Sequence, residues 1–463
     1  MNIVYLHCHD VGREIGAYDS SMFTPNLDRF SREAYVFENA HTPSPTCSPS
    51  RACLLTGRYA HQNGMIGLAH LGFRLNAPET HLANRLRAFG YHTSLFGIQH
   101  ETMHPEELGY QEVYRSAKPT FRERDEDCAK AAAAAIRRAK SPFFYSVGMF
   151  APHRPFETKN HGTAVCPQKL PDRGDAISDY EDFDDAVTFM DRCCGMVLDA
   201  LNDSPRREDT IVIFTTDHGI PFPLYKCTLF DTGTGVSWLL RIPGRKGRRI
   251  SAMVSHLDMI PTLFDLCGIP IPSDSEGVSL LPLLDGKMEK VHEEIFGEIN
   301  FHVCRDPQRS VRTDRYKLIR RYIGSPDCYP MLNTDNGGCK AEMEKEGFYR
   351  APRDEVQLYD LCVDPEETHN LAGDPSRKEA LADLDRKLSA WMRRTDDPLL
   401  GKGLRVPEGA VVKQNVMQSD AGSELIDMSI FENEMEAEEN YEKIVGVLPC
   451  NDCVSGFCLR RRE

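Results

Sequence analysis

A short apolar run at residues 3–6 and strand-like, largely apolar stretches at 93–96, 143–150 and 210–216 predict buried strands. Helical spacing of apolar positions lies between them. Residues 24–34 open on Thr24-Pro25-Asn26, with proline in the first turn, and residues 79–89 form a second candidate helix, stopped by Gly90. Residues 180–201 carry apolar side chains at a third helical repeat. Strand, helix, strand with short breaks predicts an α/β fold: a mostly parallel sheet sandwiched by helices. Residues 268–286 are rich in Pro, Gly and Ser and read as a connection. Beyond them, strands at 294–299 and 316–322 without a crossover helix, then a helix at 377–394, predict a smaller C-terminal α+β subdomain. The expected division is an α/β domain over 1–290, the α+β subdomain over 291–400, and an acidic, cysteine-containing tail over 401–463.

Charge narrows the partners. A formal net charge of -15 argues against nucleic acid and an anionic membrane, since either selects a basic face. It leaves an anionic small substrate open, because a local cluster of cations outweighs a global field. No apolar run is long enough to span a bilayer. The opening MNIVYLHCHD has no basic n-region, long apolar core or small-residue cleavage site, which predicts a cytoplasmic protein. Sixteen cysteines are irregularly spaced, and adjacent Cys193-Cys194 would be strained as a bridge, so they read as reduced. In the tail, Cys450, Cys453 and Cys458 contain a CxxC element without a full ligand set, and no metal is expected there.

The chemistry concentrates at Cys47-Ser48-Pro49-Ser50-Arg51, followed by Leu54-Leu55-Thr56-Gly57-Arg58. Pro49 suits the first turn of a helix beginning just after Cys47, which places that residue and any bound anion at a positive helix end. The string resembles the C-x-P-x-R signature of the type I sulfatases, a family of the alkaline phosphatase superfamily, with its LTGR-like continuation. The resemblance extends through TPNLDRF, HLDMIPTLFDLCGIPIP, SVRTDRYKLI and QLYDLCVDPEETHNLA, about residues 2–374. EIGAY, HQNGM and DHGIPFP are most similar to the sulfamidase branch, which cleaves the N–S bond of glucosamine N-sulfate.

This resemblance implies an alkaline-phosphatase-like fold and a sulfatase acting on sulfate esters or sulfamates, with a glycosaminoglycan fragment as the favoured substrate class. It implies that a maturase oxidises Cys47 to formylglycine, whose hydrated form is a geminal diol. One hydroxyl attacks sulfur, and collapse of the other ejects sulfate. A cytoplasmic protein would need a formylglycine-generating maturase inside the cell. The family's metal pairs align with His9-Asp10 and Asp217-His218 at strand ends. Calcium is the family's usual ion. Two imidazoles in the set leave manganese, iron or zinc open. His100 in FGIQHE matches the family histidine that takes the proton of the spare hydroxyl, whereas Ile98 stands where the family has a sulfate-binding lysine. His153 in APHRPF matches the histidine that protonates the leaving group, and Lys226 the later sulfate-binding cation. His302, Arg305 and Arg309 are read as residues of an exposed loop with a possible sugar contact. Two other functions stay open: a phosphonate monoester or phosphodiester hydrolase of the superfamily, and a non-catalytic carbohydrate-binding homologue. Oligomeric state is not legible.

Overall fold

The computed structural model describes residues 1–157, 163, 165–322, 324–401 and 403–413. Eight strands form the main sheet: β1 Asn2–Cys8, β2 Tyr35–His41, β3 His92–Gly97, β4 Glu112–Tyr114, β5 Phe143–Met149, β6 Thr210–Thr216, β7 Trp238–Arg241 and β8 Arg249–Ser255. Their order is β4-β3-β5-β1-β6-β7-β2-β8, and β7 alone runs antiparallel to its neighbours. β1 lies between β5 and β6, every residue of it buried. Its side chains divide between two cores: Ile3 and Tyr5 pack with the helices Cys47–Thr56 and Met259–Cys267, while Val4, Leu6 and Cys8 pack with the helix Asp175–Asn202. This double burial is why these strands are continuous apolar runs rather than alternating ones.

The second sheet is antiparallel, in the order β12-β11-β10-β9, from β9 Glu294–Phe301, β10 Arg305–Thr313, β11 Tyr316–Arg321 and β12 Val356–Asp360. The helix Lys378–Arg394 lays Leu384, Leu388, Trp391 and Met392 on Val311, Leu318 and Leu358 of that sheet. The expected fold class is the observed one.

Element bounds differ in instructive places. The predicted helix at 180–201 spans Asp175–Asn202, and that at 79–89 begins as a 3-10 turn, Pro78–Thr80, before Leu82–Ala88. Residues 404–413 of the predicted tail pack back on the body: Leu404 is buried, and the amides of Val411 and Lys413 donate to the carbonyls of Leu71 and Val303. The acidic stretch at 432–442 and Cys450, Cys453 and Cys458 lie outside the described residues. The thirteen cysteines among the described residues are free thiols. No helix there is long and apolar enough to cross a membrane.

Candidate active site

Four parallel strands, β3, β5, β1 and β6, end side by side and deliver polar residues to one crevice, where open α/β sheets place ligands. β1 runs into His9 and Asp10, and β6 into Asp217 and His218. Asp10 takes φ 55°, a left-handed conformation that aspartate tolerates better than most residues. The two loops are bonded to each other. The Gly12 amide donates to the His218 carbonyl at 2.8 Å, the Thr216 hydroxyl to the Gly12 carbonyl at 2.8 Å, and the Asp10 amide to Asp217 Oδ1 at 2.9 Å. Gly12, at φ 54°, meets Gly219 so closely that a Cβ would stand 3.1 Å from its Cα, so glycine is required.

Cys47 is the first residue of the helix Cys47–Thr56, and Thr46 before it is extended. Its Sγ is buried, 3.3 Å from His218 Nε2. Arg51, one turn on, lies on the same helix face. Its guanidinium donates to Asp217 Oδ2 at 3.1 Å and to the Cys8 carbonyl at 2.9 Å, and approaches His7 Nδ1 at 2.7 Å. The Ser50 hydroxyl donates to the Asp217 carbonyl oxygen. Helix and strand ends are thereby fastened around Asp217.

Ligating atoms of His9, Asp10, Cys47 and Asp217 all lie within 4.8 Å of one another. His218 Nε2 joins them, 3.2 Å from Asp10 Oδ1, and His9 Nδ1 is 3.2 Å from Asp217 Oδ2. These contacts are close, yet both His9 ring nitrogens and Asp10 Oδ1 lack hydrogen-bond geometry to any partner. Buried donors and acceptors left in this state are costly unless something else satisfies them. The set fits a divalent cation. Burial, reinforced by Arg51, holds His9 well below the usual imidazole range and so in the neutral form that binds metal. Burial works to raise Asp217, but His218 and Arg51 outweigh it and hold the carboxyl well below the usual range. Asp10 is raised by burial to about 6, against the pull of Lys226 and His218.

The predicted basic residues surround this cluster. Lys226 is buried and donates to Asp10 Oδ2 at 3.2 Å and to Asp335 Oδ2 at 3.0 Å. His153 Nε2 is 3.8 Å from Asp10 Oδ2, its Nδ1 lies 2.6 Å from the Arg154 carbonyl, and its ring meets His9 edge-on at 5.3 Å. His100 also meets His9 edge-on, at 5.7 Å. Its amide donates to Glu101 at 2.6 Å. Ile98 lies against Gly148, an apolar side chain where the resembling family places a cation.

Several neighbours were not among the predicted site residues. His70 stacks on His100, with Nδ1 3.0 Å from His100 Nε2. Its position just beyond HQNGM, close after the Cys47 motif, was the available signal. Asp335 comes from the chain between β11 and β12, and nothing in its polar surroundings marks it. The expectation for the loop residues needs correction. His302 is buried, and its pKa is lowered well below the usual range by burial and then by Lys226. Arg309 is fully buried, paired with Asp397 at 2.5 Å, because β10 faces the interior. Arg305 donates to the Leu404 carbonyl at 2.9 Å.

A cysteine at a helix N-terminus, set over the carboxyl edge of a mostly parallel sheet and among buried carboxylates and imidazoles, places the chain among hydrolases of mixed α/β architecture. The chain belongs to the sulfatase family, whose model, described as Sulfatase, matches residues 1–269. A second model, N-sulphoglucosamine sulphohydrolase, C-terminal, matches residues 224–345. The chain is 31% identical over 461 residues to N-sulphoglucosamine sulphohydrolase of Homo sapiens, spanning 86% of this chain and 91% of that protein. It is 27% identical over 414 residues to an ulvan-active sulfatase of Formosa agariphila, spanning 85% and 80%. The solved structure of a 2-O GAG sulfatase superposes with a TM-score of 0.70 at 23% identity, covering 86% of this chain and 93% of that one, a likeness of fold.

Proposed function

We propose that the protein cleaves the S–O or S–N bond of a sulfated sugar, a glucosamine N-sulfate first, with formylglycine made from Cys47 as the nucleophile. The observation that carries this reading is Cys47 itself: at a helix N-terminus, 3.3 Å from His218 and clustered with His9, Asp10 and Asp217. Burial pushes its thiol well up, so an unconverted cysteine is protonated at neutral pH and a poor nucleophile. Conversion by a maturase is therefore part of the proposal. The sugar class rests on the relatives, named for sulphoglucosamine and ulvan.

In the proposed reaction one hydroxyl of the hydrated aldehyde gives up its proton to a carboxylate of the cluster and attacks sulfur. An O–S bond forms as the bond from sulfur to the sugar nitrogen or oxygen breaks, and His153 delivers a proton to that leaving atom. His153 is lowered to about 4, first by burial and then by Lys226, so it acts as an acid only once the bound sulfate anion has raised it. His100 takes the proton of the remaining hydroxyl, the C–O bond to sulfate breaks, and water rehydrates the aldehyde. Lys226 holds sulfate oxygens. A divalent cation, calcium first, held by His9, Asp10, Asp217 and His218 would neutralise charge on the sulfate.

The test joins peptide mass spectrometry across Cys47, on protein co-expressed with a maturase, to sulfate release from N-sulfoglucosamine. A loss of about 18 Da, thiol to aldehyde, with sulfate release supports the reading. Undiminished turnover with unmodified Cys47 sinks the nucleophile. Turnover confined to phosphonate monoesters or phosphodiesters sinks the sulfatase assignment.

A further inference from the structure

We propose that Asp335 is a specificity-determining residue that favours a sulfamate over a sulfate ester, by accepting a hydrogen bond from the N–H that only the sulfamate carries. This inference rests on the proposed sulfatase reading of the site and names the bond that the site prefers.

Asp335 belongs to the excursion between β11 and β12, so the second sheet supplies a wall of a crevice built by the first. Its Oδ2 accepts from Lys226 Nζ at 3.0 Å. The same ammonium donates to Asp10 Oδ2 at 3.2 Å, and His153 Nε2 stands 3.8 Å from that oxygen. Lys226, which would grip the sulfate, and His153, which would protonate the leaving atom, thus approach the same oxygen of Asp10, and Asp335 abuts Lys226. A leaving atom presented to His153 while its sulfur is held by Lys226 comes within reach of Asp335.

The chemistry of that atom differs between substrate classes. A sulfamate nitrogen keeps a hydrogen, whereas the bridging oxygen of a sulfate ester offers lone pairs alone. Burial works to raise Asp335, but Lys226, His153 and His302 outweigh it and keep the group ionised, hence an acceptor without a proton to donate. One bond to Lys226 leaves lone pairs unused, and the side chain keeps 22% of its surface open. The carboxylate accordingly attracts an N–H and repels an ester oxygen in the same position. Discrimination of this kind needs both the attractive and the repulsive half.

The experiment compares N-sulfoglucosamine with glucose 2-sulfate, which differ at the atom in question. Binding is measured by calorimetry in Cys47→Ala protein, which cannot turn them over, with Asp335 intact and as Asp335→Asn and Asp335→Ala. Asp335→Ala is expected to weaken N-sulfoglucosamine about tenfold or more while changing glucose 2-sulfate less than about threefold. The near-isosteric Asp335→Asn keeps an amide oxygen as acceptor and falls between. Parallel losses for both sugars reduce Asp335 to a seat for Lys226 and overturn the proposal, as does an unchanged ratio or no sulfamate binding at all. Sulfate release by converted protein with Cys47 intact is scored separately. Selective binding without sulfate release would end the sulfatase reading and leave the role of Asp335 standing.

Discussion

Replacing Asp125 separates two effects that oppose each other in the native protein. This carboxylate, buried in the helix Phe121–Arg138, accepts from the Phe150 amide at 2.8 Å and the Ala151 amide at 2.7 Å, where the chain leaves β5 toward His153. Asp125→Ala orphans both amides, at roughly 1–3 kcal/mol each, and frees the segment that aims His153. A misplacement near 1 Å lowers rate about 100-fold, so kcat/KM should fall between about 10- and 100-fold. Asp125→Asn can satisfy both amides with one oxygen and should hold activity near that of the parent. Burial raises Asp125 to about 7, only partly opposed by those amide bonds. The sign follows: the folded state keeps its proton from about pH 4 to 7 while the unfolded chain has released it, so this group lowers stability as pH rises through that window and its full penalty stands above it. Between pH 5 and 8 the stability of Asp125→Asn relative to the parent should therefore improve by roughly 3 kcal/mol. Sulfate release at neutral pH and chemical denaturation at pH 5 and 8 read the two effects. Activity of Asp125→Ala within twofold of the parent would refute the positioning argument, and a pH-independent stability difference for Asp125→Asn would refute the electrostatic one.

Three further outcomes are expected. Chelator-treated protein should melt at a lower temperature than protein resupplied with calcium or manganese, because a cation bound by the native cluster alone stabilises it by mass action; equal melting in both would remove the metal from His9, Asp10, Asp217 and His218. Lys226→Met should lower kcat/KM for sulfated sugars about 100-fold, through loss of roughly 3 kcal/mol of charge-assisted bonding, and steady-state kinetics within threefold of the parent would contradict its place beside the sulfate. Arg309→Met should cost about 3–5 kcal/mol in urea denaturation, since it strands the buried carboxylate of Asp397 and removes a nearby cation from Glu298, and Asp397→Leu added to it should recover part of the loss.

The central strands are legible in the sequence alone. β6 reads as Thr210–Thr216 in both sequence and structure because burial on both faces favours a largely apolar run, here centred on residues 211–214. Loops leaving such strands at their carboxyl ends open on the crevice, and it is the resemblance to the sulfatases that singles out His9-Asp10 and Asp217-His218 there. β10 escaped notice for the converse reason: RDPQRSVRT is polar, yet its middle is buried, with Arg309 matched to Asp397 and Glu298 and Arg312 to Asp231. Periodicity records which side chains avoid water, not which charges find partners far along the chain. Asp335 and His70 escaped for the same cause, and His302 reads as exposed although it is buried. Asp335 meets Lys226 across 109 residues, brought there by the excursion of the second sheet over the first, and His70 meets His100 across 30, between two loops of the first sheet's own unit; neither meeting leaves a mark on local periodicity.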